Sequence, residues 1–249
     1  MKTYGLIGHK LGHSFSKKFF TEKFKKEHLS ECEYVNFELD TINGFPELFK
    51  RNDHIYGLNC TIPYKQQVIG FLDETDPEAA KIGAVNTIKV IRHNDRIRLK
   101  GFNTDAYGFE HSFSPLLKEY HRKALILGTG GASKAVKYVL EKLGIDYLFV
   151  TTKTVKEKKR INYSEITREL LSHYSVIINA TPLGTFPNTE TCPDIPYQYL
   201  TKKYLLYDLV YNPEETLFMR QGKNMGAIVK NGLDMLHLQA VRAWEIWNS

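Results

Sequence analysis

Three cysteines in 249 residues, Cys32, Cys60 and Cys192, stand far apart and form no Cys-x-x-Cys pair. That spacing excludes a cysteine metal centre and a redox dithiol, and it fits a reducing compartment in which no disulfides form. No apolar run has the length of a membrane span, and no basic–apolar leader opens the chain. The expectation is a soluble, cytoplasmic protein with no membrane partner. Long blocks of one charge are missing too, because 34 Lys and Arg are interleaved with 28 Asp and Glu for a net charge of +6. The clearest basic run, residues 153–160, is short and is interrupted by Glu157. Such a distribution favours anionic small molecules over a nucleic-acid track.

What the chain does have is KALILGTGGASKA at residues 123–135. An apolar run, 124–127, suits a buried parallel strand, and Gly128, Gly130 and Gly131 follow it at once. Ala135, Val136, Val139 and Leu140 then recur at helical spacing. Strand, glycine turn and helix in that order form the phosphate-binding start of a dinucleotide domain. Gly128 allows the tight turn, and Gly130 the close approach of a pyrophosphate to the N–H groups that open the helix. Ser133 replaces the third glycine of the usual fingerprint and is small enough for close helix–strand packing. Residues 147–150 are the next strand of the unit. Where an NAD-specific domain carries an acidic residue, Thr151, Thr152, Lys153 and Thr154 stand here, with Lys156 close behind. A missing carboxylate and added cations favour the 2′-phosphate of NADP.

The preceding half alternates strands and helices. Strands are expected at 4–7, 34–39, 57–63, 87–91 and 96–100, with helices at 17–26, 45–50 and from Lys65 through Phe71. Residues 79–87 read as a small-residue turn, Asn94–Asp95 as a hairpin turn, and 101–108 as a loop opening a helix. Ser14 and Ser16 sit where a strand-end loop meets a helix, where one is expected to cap it. Lys65 stands near the carboxyl end of a strand, the side on which open α/β sheets place ligands, although a solvated lysine reads the same way. After the glycine turn, strands are expected at 176–180, 205–210 and 227–230 and helices at 133–143, 216–225 and 235–247. Residues 161–174 read as indistinct.

Eight motifs then agree. GLIGHKLGHSFS (5–16), NCTIPYK (59–65), GAVNT (83–87), GFNTDAYG (101–108), GTGGAS (128–133), NATPLG (179–184), YDLVYNP (207–213) and NGLDMLHLQA (231–240) occur in order along nearly the whole chain. Together they resemble the shikimate dehydrogenase family. The resemblance implies an α/β protein with an N-terminal α/β substrate domain, 1–105 with 236–249, and a Rossmann-type NADP-binding domain, 106–235. The C-terminal helix would return to the first domain. It also implies reversible NADPH-dependent reduction of 3-dehydroshikimate to shikimate, in the route to chorismate and the aromatic amino acids, by a monomer or homodimer.

Carried over by position, Ser14 and Ser16 would bind the substrate carboxylate, with Tyr211 near that end. Thr61, Lys65, Asn86, Asp105 and Gln239 would hold its hydroxyls and reacting oxygen, Lys65 and Asp105 being catalytic. Gly128, Thr129, Gly130, Gly131 and Ala132 would cradle the pyrophosphate. Thr152, Lys153, Thr154 and Lys156 would hold the adenosine phosphate, and Leu209 and Gly232 would flank the nicotinamide. The chemistry suits these residue types, because hydride addition to a ketone leaves an alkoxide that Lys65 can protonate. No metal is required.

The sequence departs from the family pattern at Lys10 and Lys17, where proline is common, and at Thr152-Lys153-Thr154, where Asn-Arg-Thr is usual. It also departs at Thr185, where methionine is frequent, and by its shortness near 155–165. The rival readings are a paralogue acting on quinate, with NAD, and a dinucleotide sensor that has lost its chemistry. The missing carboxylate after Val150 argues against the first, and retention of Lys65, Asp105, Asn86 and Gln239 against the second.

Overall fold

The structure, a computed structural model, describes residues 1–12, 14–94, 96–153 and 158–249. It divides into two compact units, Met1–Asp105 with Gln239–Ser249, and Ala106–Leu238. The second division falls inside a continuous helix, three residues beyond the 235/236 boundary that the resemblance implies.

In the first unit β1 (Lys2–Gly8) is followed by α1 (Phe15–Lys26), β2 (Cys32–Glu38), α2 (Phe45–Arg51) and β3 (Ile55–Cys60). Then come β4 (Glu74–Thr75), α3 (Pro77–Ile82), β5 (Thr87–His93) and β6 (Arg96–Phe102). The sheet order is β2-β1-β3-β5-β6-β4. β1 runs parallel to β2 and β3, and β5 runs antiparallel to both its neighbours. Apolar residues cover both faces of this mixed sheet. Ile55, Leu58, Val68 and Ile88 belong to one cluster, while Tyr4, Phe20, Phe24 and Trp247 belong to another. Trp247 belongs to the returning C-terminal segment, and its indole N–H donates to the Ile88 carbonyl at 3.0 Å. A Cβ on Gly57 would run into that indole. Truncating such a buried ring to alanine costs about 3–5 kcal/mol, so this contact holds the segment to the unit.

The second unit holds most of α4 (Thr104–Phe113), then β7 (Lys123–Leu127), α5 (Gly131–Lys142), β8 (Asp146–Thr151), β9 (Arg160–Asn162) and α6 (Arg168–His173). β10 (Val176–Asn179), β11 (Leu205–Asp208), α7 (Leu217–Asn224), β12 (Ile228–Lys230) and the first part of α8 (Leu233–Asn248) complete it. Its sheet, β12-β11-β10-β7-β8-β9, is parallel throughout. The strand order reverses between β7 and β10, the switch point at which open α/β sheets bind ligands. β7 and β10 are buried almost end to end, as continuous apolar runs of a sheet covered on both sides.

Three local expectations change. Lys65 does not open an α-helix: residues 62–66 form turns and a 3-10 segment, Gln67–Phe71, follows. The Lys65 carbonyl is diverted from any helical ladder, because it accepts the Val85 N–H at 2.7 Å. Residues 77–82 form a helix rather than a turn, with Asp76 capping Glu78 N at 2.9 Å, Pro77 at its start and Gly83 at φ 69° at its end. The stretch 161–174, indistinct in sequence, falls in β9, a 3-10 turn and α6 capped by Thr167. Asn94 takes φ 52°, as a hairpin turn needs, while Asp95 lies outside the described residues.

Candidate active site

Strand register gathers the first unit's polar residues at one edge of its sheet. Ile7 pairs with Cys60, Asn59 with Thr87, and Thr87 with Phe102. The carboxyl ends of β1, β3 and β6 therefore meet the start of β5. Thr61 and Lys65 follow β3, Asn86 precedes β5, and Asp105 lies in the first turn of α4, where a negative charge suits the helix dipole.

The Lys65 ammonium donates to Asp105 Oδ2 at 2.6 Å, with 15 % of the lysine and 11 % of the aspartate side chain exposed. Asp105 Oδ1 accepts from Asn86 Nδ2 at 2.9 Å, so both carboxylate oxygens are engaged. The Asn86 amide has one possible orientation, because its Oδ1 accepts the Thr104 backbone N–H at 2.6 Å. Its Nδ2 also reaches Thr104 Oγ1 at 3.0 Å and Gln239 Oε1 at 3.4 Å. Thr87 extends the lattice: its hydroxyl donates to Asn86 Oδ1 and accepts from Asn59 Nδ2, each at 3.2 Å. Asn59 Oδ1 in turn accepts the Tyr34 phenol at 2.8 Å. Asn59, Asn86, Thr87, Thr104, Asp105 and Gln239 are all buried. Among the described residues, the other Lys65 N–H groups have no protein acceptor. A preset, half-buried ammonium with spare donors is equipped to give or take a proton at a substrate oxygen.

Ser14 is the N-cap of α1, its Oγ accepting Lys17 N at 3.1 Å. Its own proton therefore remains available for an acceptor outside the helix. Ser16 lies two residues on, in the first turn of the same helix. Burial holds the Tyr34 phenol well above its ordinary range, and the neighbouring Ser16 hydroxyl offsets part of that rise. Thr61 donates its backbone N–H to the Ile7 carbonyl at 3.0 Å, while its hydroxyl has no partner among the described residues. Burial pushes the Cys60 thiol up to about 12, with Lys65 pulling it down and Asp105 raising it, so it stays protonated and inert. Tyr211 belongs to the second unit and is 37 % exposed.

In the second unit Gly128 ends β7 at φ 99°, and a Cβ there would lie 2.9 Å from Thr181 Cγ2. Gly130 caps α5, with open space where a Cβ would project. Ser133, buried beneath, donates to the Gly130 carbonyl at 2.6 Å. Thr129, Gly131 and Ala132 thus bring their backbone N–H groups to a helix start with no acidic residue in its first turn, while the Gly128 N–H donates to the Val150 carbonyl at 2.9 Å. A cavity of about 500 Å³ adjoins it, with Gly128, Thr129, Thr152 and Lys153 in its wall. The wall also includes Tyr163, Thr181, Leu183, Cys192 and Asp194, which sequence reasoning did not assign. The Lys153 backbone is tied to Thr151 Oγ1 at 3.1 Å, leaving its side chain exposed. Thr154 and Lys156 lie outside the described residues. These features fit a dinucleotide: room at the glycine turn, the N–H groups that open α5, and a cation past β8.

Leu209 and Gly232 come together, since a Cβ on Gly232 would run into the Leu209 carbonyl. Behind them Asp208 is fully buried and accepts from Asn179 Nδ2 at 2.9 Å, Val210 N at 3.0 Å and Thr216 Oγ1 at 2.6 Å. Asn179 Oδ1 then accepts the Thr181 hydroxyl at 2.6 Å, which fixes the residue packed against Gly128. Burial raises the Asp208 carboxyl to about 6, against the bonds to Thr216, Val210 and Asn179 that lower it. Asn59, Thr87, Thr104, Asn179 and Asp208 were present in the sequence motifs but carried no assigned role. An asparagine two residues before Thr61, on the same strand face, was the available signal for Asn59. Among the described residues no group of three or more His, Cys, Asp or Glu is placed to hold a metal ion. No described helix is long and apolar enough to cross a membrane.

Comparison with known proteins gives a consistent result. Residues 6–88 match the family described as the shikimate dehydrogenase substrate binding domain. The shikimate dehydrogenase (NADP(+)) of Carboxydothermus hydrogenoformans is 38 % identical, over 99 % of this chain and 91 % of its own length. The crystal structure of shikimate dehydrogenase 1 from Peptoclostridium difficile is 37 % identical, with a TM-score of 0.81, over 100 % of this chain and 92 % of that one. The Thermus thermophilus shikimate 5-dehydrogenase, solved with NADP(H) and shikimate, is 28 % identical, with a TM-score of 0.84, over 99 % and 93 %.

Proposed function

Since this chain belongs to the shikimate dehydrogenase family, we propose that it reduces 3-dehydroshikimate to shikimate reversibly with NADPH, on the route to chorismate and the aromatic amino acids. The observation that carries the reading is the 2.6 Å bond between Lys65 Nζ and Asp105 Oδ2 within the domain that matches the family's substrate-binding region and its continuation. The first unit is the substrate domain and the second the NADP domain. The partners are small molecules alone, and the protein acts as a monomer or homodimer in the cytoplasm, where its three free thiols stay reduced.

NADPH, when bound, supplies the hydride. Lys65 holds the proton that the nascent alkoxide needs, and Asp105 holds the Lys65 side chain in place through their 2.6 Å bond. In the reverse direction Lys65 receives the proton from the substrate hydroxyl. Asn86 fixes Asp105 by donating to the carboxylate oxygen that Lys65 leaves open. Ser14, whose oxygen lone pair is committed to Lys17 N, uses its free proton on the substrate carboxylate, with Ser16 beside it and Tyr211 near that end. Thr61 and Gln239 pair with substrate hydroxyls. This polar set gives selectivity, because an analogue lacking a hydroxyl leaves buried groups unpaired.

Gly128 to Ala132 hold the pyrophosphate, Leu209 and Gly232 flank the nicotinamide, and Thr152 and Lys153 hold the 2′-phosphate, with Thr154 and Lys156 beyond them. The experiment is a spectrophotometric assay of shikimate and quinate, each with NADP and NAD. Turnover confined to shikimate with NADP is expected. Faster turnover of quinate with NAD would replace this reading with the paralogue.

A further inference from the structure

The described wall of the cofactor cavity carries one cation and one anion, and the sequence motifs account only for the cation. Lys153 follows β8, where the cofactor's adenosine phosphate is read to lie. Asp194 comes from a distant loop, between β10 and β11, and lines the same space. Its placement is fixed from both sides. Pro193 and Ile195 are buried, Ile195 belongs to the core of this unit, and Ile195 N bonds to the Pro193 carbonyl at 3.1 Å. The Asp194 side chain is thereby turned outward between two anchored neighbours. Tyr163, packed on the same core, lines the same wall, and its phenol is raised first by burial and then by the Asp194 charge. No described residue pairs with Asp194 or with the Lys153 ammonium, so the two charges act on whatever enters.

We infer that Asp194 is a specificity-determining residue of the cofactor site, its carboxylate opposing the 2′-phosphate of NADP across the cavity and tempering the preference that Lys153 creates. The inference rests on the cofactor reading given above. A space of about 500 Å³ is roughly 10 Å across, near the Debye length of about 8 Å at physiological salt. A carboxylate on its wall therefore acts on a dianionic phosphate appreciably, whereas the 2′-hydroxyl of NAD carries no charge for it to repel. The carboxylate that the sequence lacks at the end of β8 is thus supplied in part by a different element.

The test is equilibrium titration of the full chain with NADP⁺ and with NAD⁺, for wild type, Asp194→Asn and Asp194→Ser, at low and high salt, with thermal melting as the check on folding. Both variants should tighten NADP binding about 3- to 10-fold and leave NAD within about two-fold, the gain shrinking as salt rises. Equal weakening for both cofactors would make Asp194 an acceptor for the shared adenosine, and an unchanged NADP/NAD ratio would remove it from specificity. Either result overturns the inference while leaving the cofactor reading intact. A wild-type chain that binds neither cofactor would overturn the cofactor reading itself.

Discussion

Asp105→Asn keeps the shape of the side chain and exchanges one oxygen for an NH₂ group. In the wild-type chain both carboxylate oxygens accept, from Asn86 Nδ2 at 2.9 Å and from Lys65 Nζ at 2.6 Å. An amide offers one acceptor oxygen, so one of these donors must face another donor. Neither neighbour can adapt, because Asn86 is held by the Thr104 N–H and Lys65 has only donors. Lys65 also loses its counter-charge with 15 % of its side chain exposed. An orphaned buried donor costs about 1–3 kcal/mol, and breaking a buried ion pair about 3–5 kcal/mol. The two costs overlap, because both count the donor left unpaired, and the residual exposure of 15 % and 11 % moves the loss to the lower end of the ion-pair range, about 3 kcal/mol.

Trp244 and Trp247 both lie in the first unit, so tryptophan fluorescence in urea reads this unit directly. Lys65→Met in the same chain removes the stranded charge. The double variant should therefore recover about 1.5 kcal/mol or more relative to additivity. Turnover in Asp105→Asn should fall by about 10²-fold or more, since proton transfer loses its positioned donor. Stability effects that add to within about 0.5 kcal/mol would refute the coupling.

Two further outcomes follow from the second unit. Asp208 has a carboxyl raised to about 6, so between about pH 4 and 6 the native state keeps a proton that the unfolded state has released, and stability must fall as pH rises through that window. Asp208→Asn should abolish the fall, which is of order 2–3 kcal/mol, and calorimetry from about pH 4.5 to 7.5 checks it; an unchanged slope contradicts the assignment. Gly128→Ala forces a side chain onto φ 99° with its Cβ 2.9 Å from Thr181. It should destabilise the unit by about 1–3 kcal/mol and weaken NADP and NAD alike, whereas normal affinity would mean that the turn does not need glycine.

The elements that sequence revealed best are those with a single strong cause. Continuous apolar runs made β7 and β10, and the paired signals of glycine turn and helix spacing made α5. The helix 77–82 was legible in principle, since Asp76, Pro77 and Gly83 are its cap, start and stop, but its apolar face is too short to show a period. The turn that carries Lys65 was not legible, because what stops the helix is a long-range bond from Val85 N to the Lys65 carbonyl. The same limit applies to the site. Motifs located Lys65, Asp105, Asn86 and Gln239, yet their mutual bonds join residues up to 153 positions apart. Asp194 escaped notice because its relation to β8 exists only through the cavity they share.

The measurement closest to the central claim is the steady-state kinetics of Lys65→Ala with shikimate and NADP. If Lys65 holds the transferred proton, kcat should drop by about 10²-fold or more while KM for shikimate changes by less than about five-fold. A large rise in KM with kcat nearly intact would make Lys65 a binding residue and contradict the proton-transfer account.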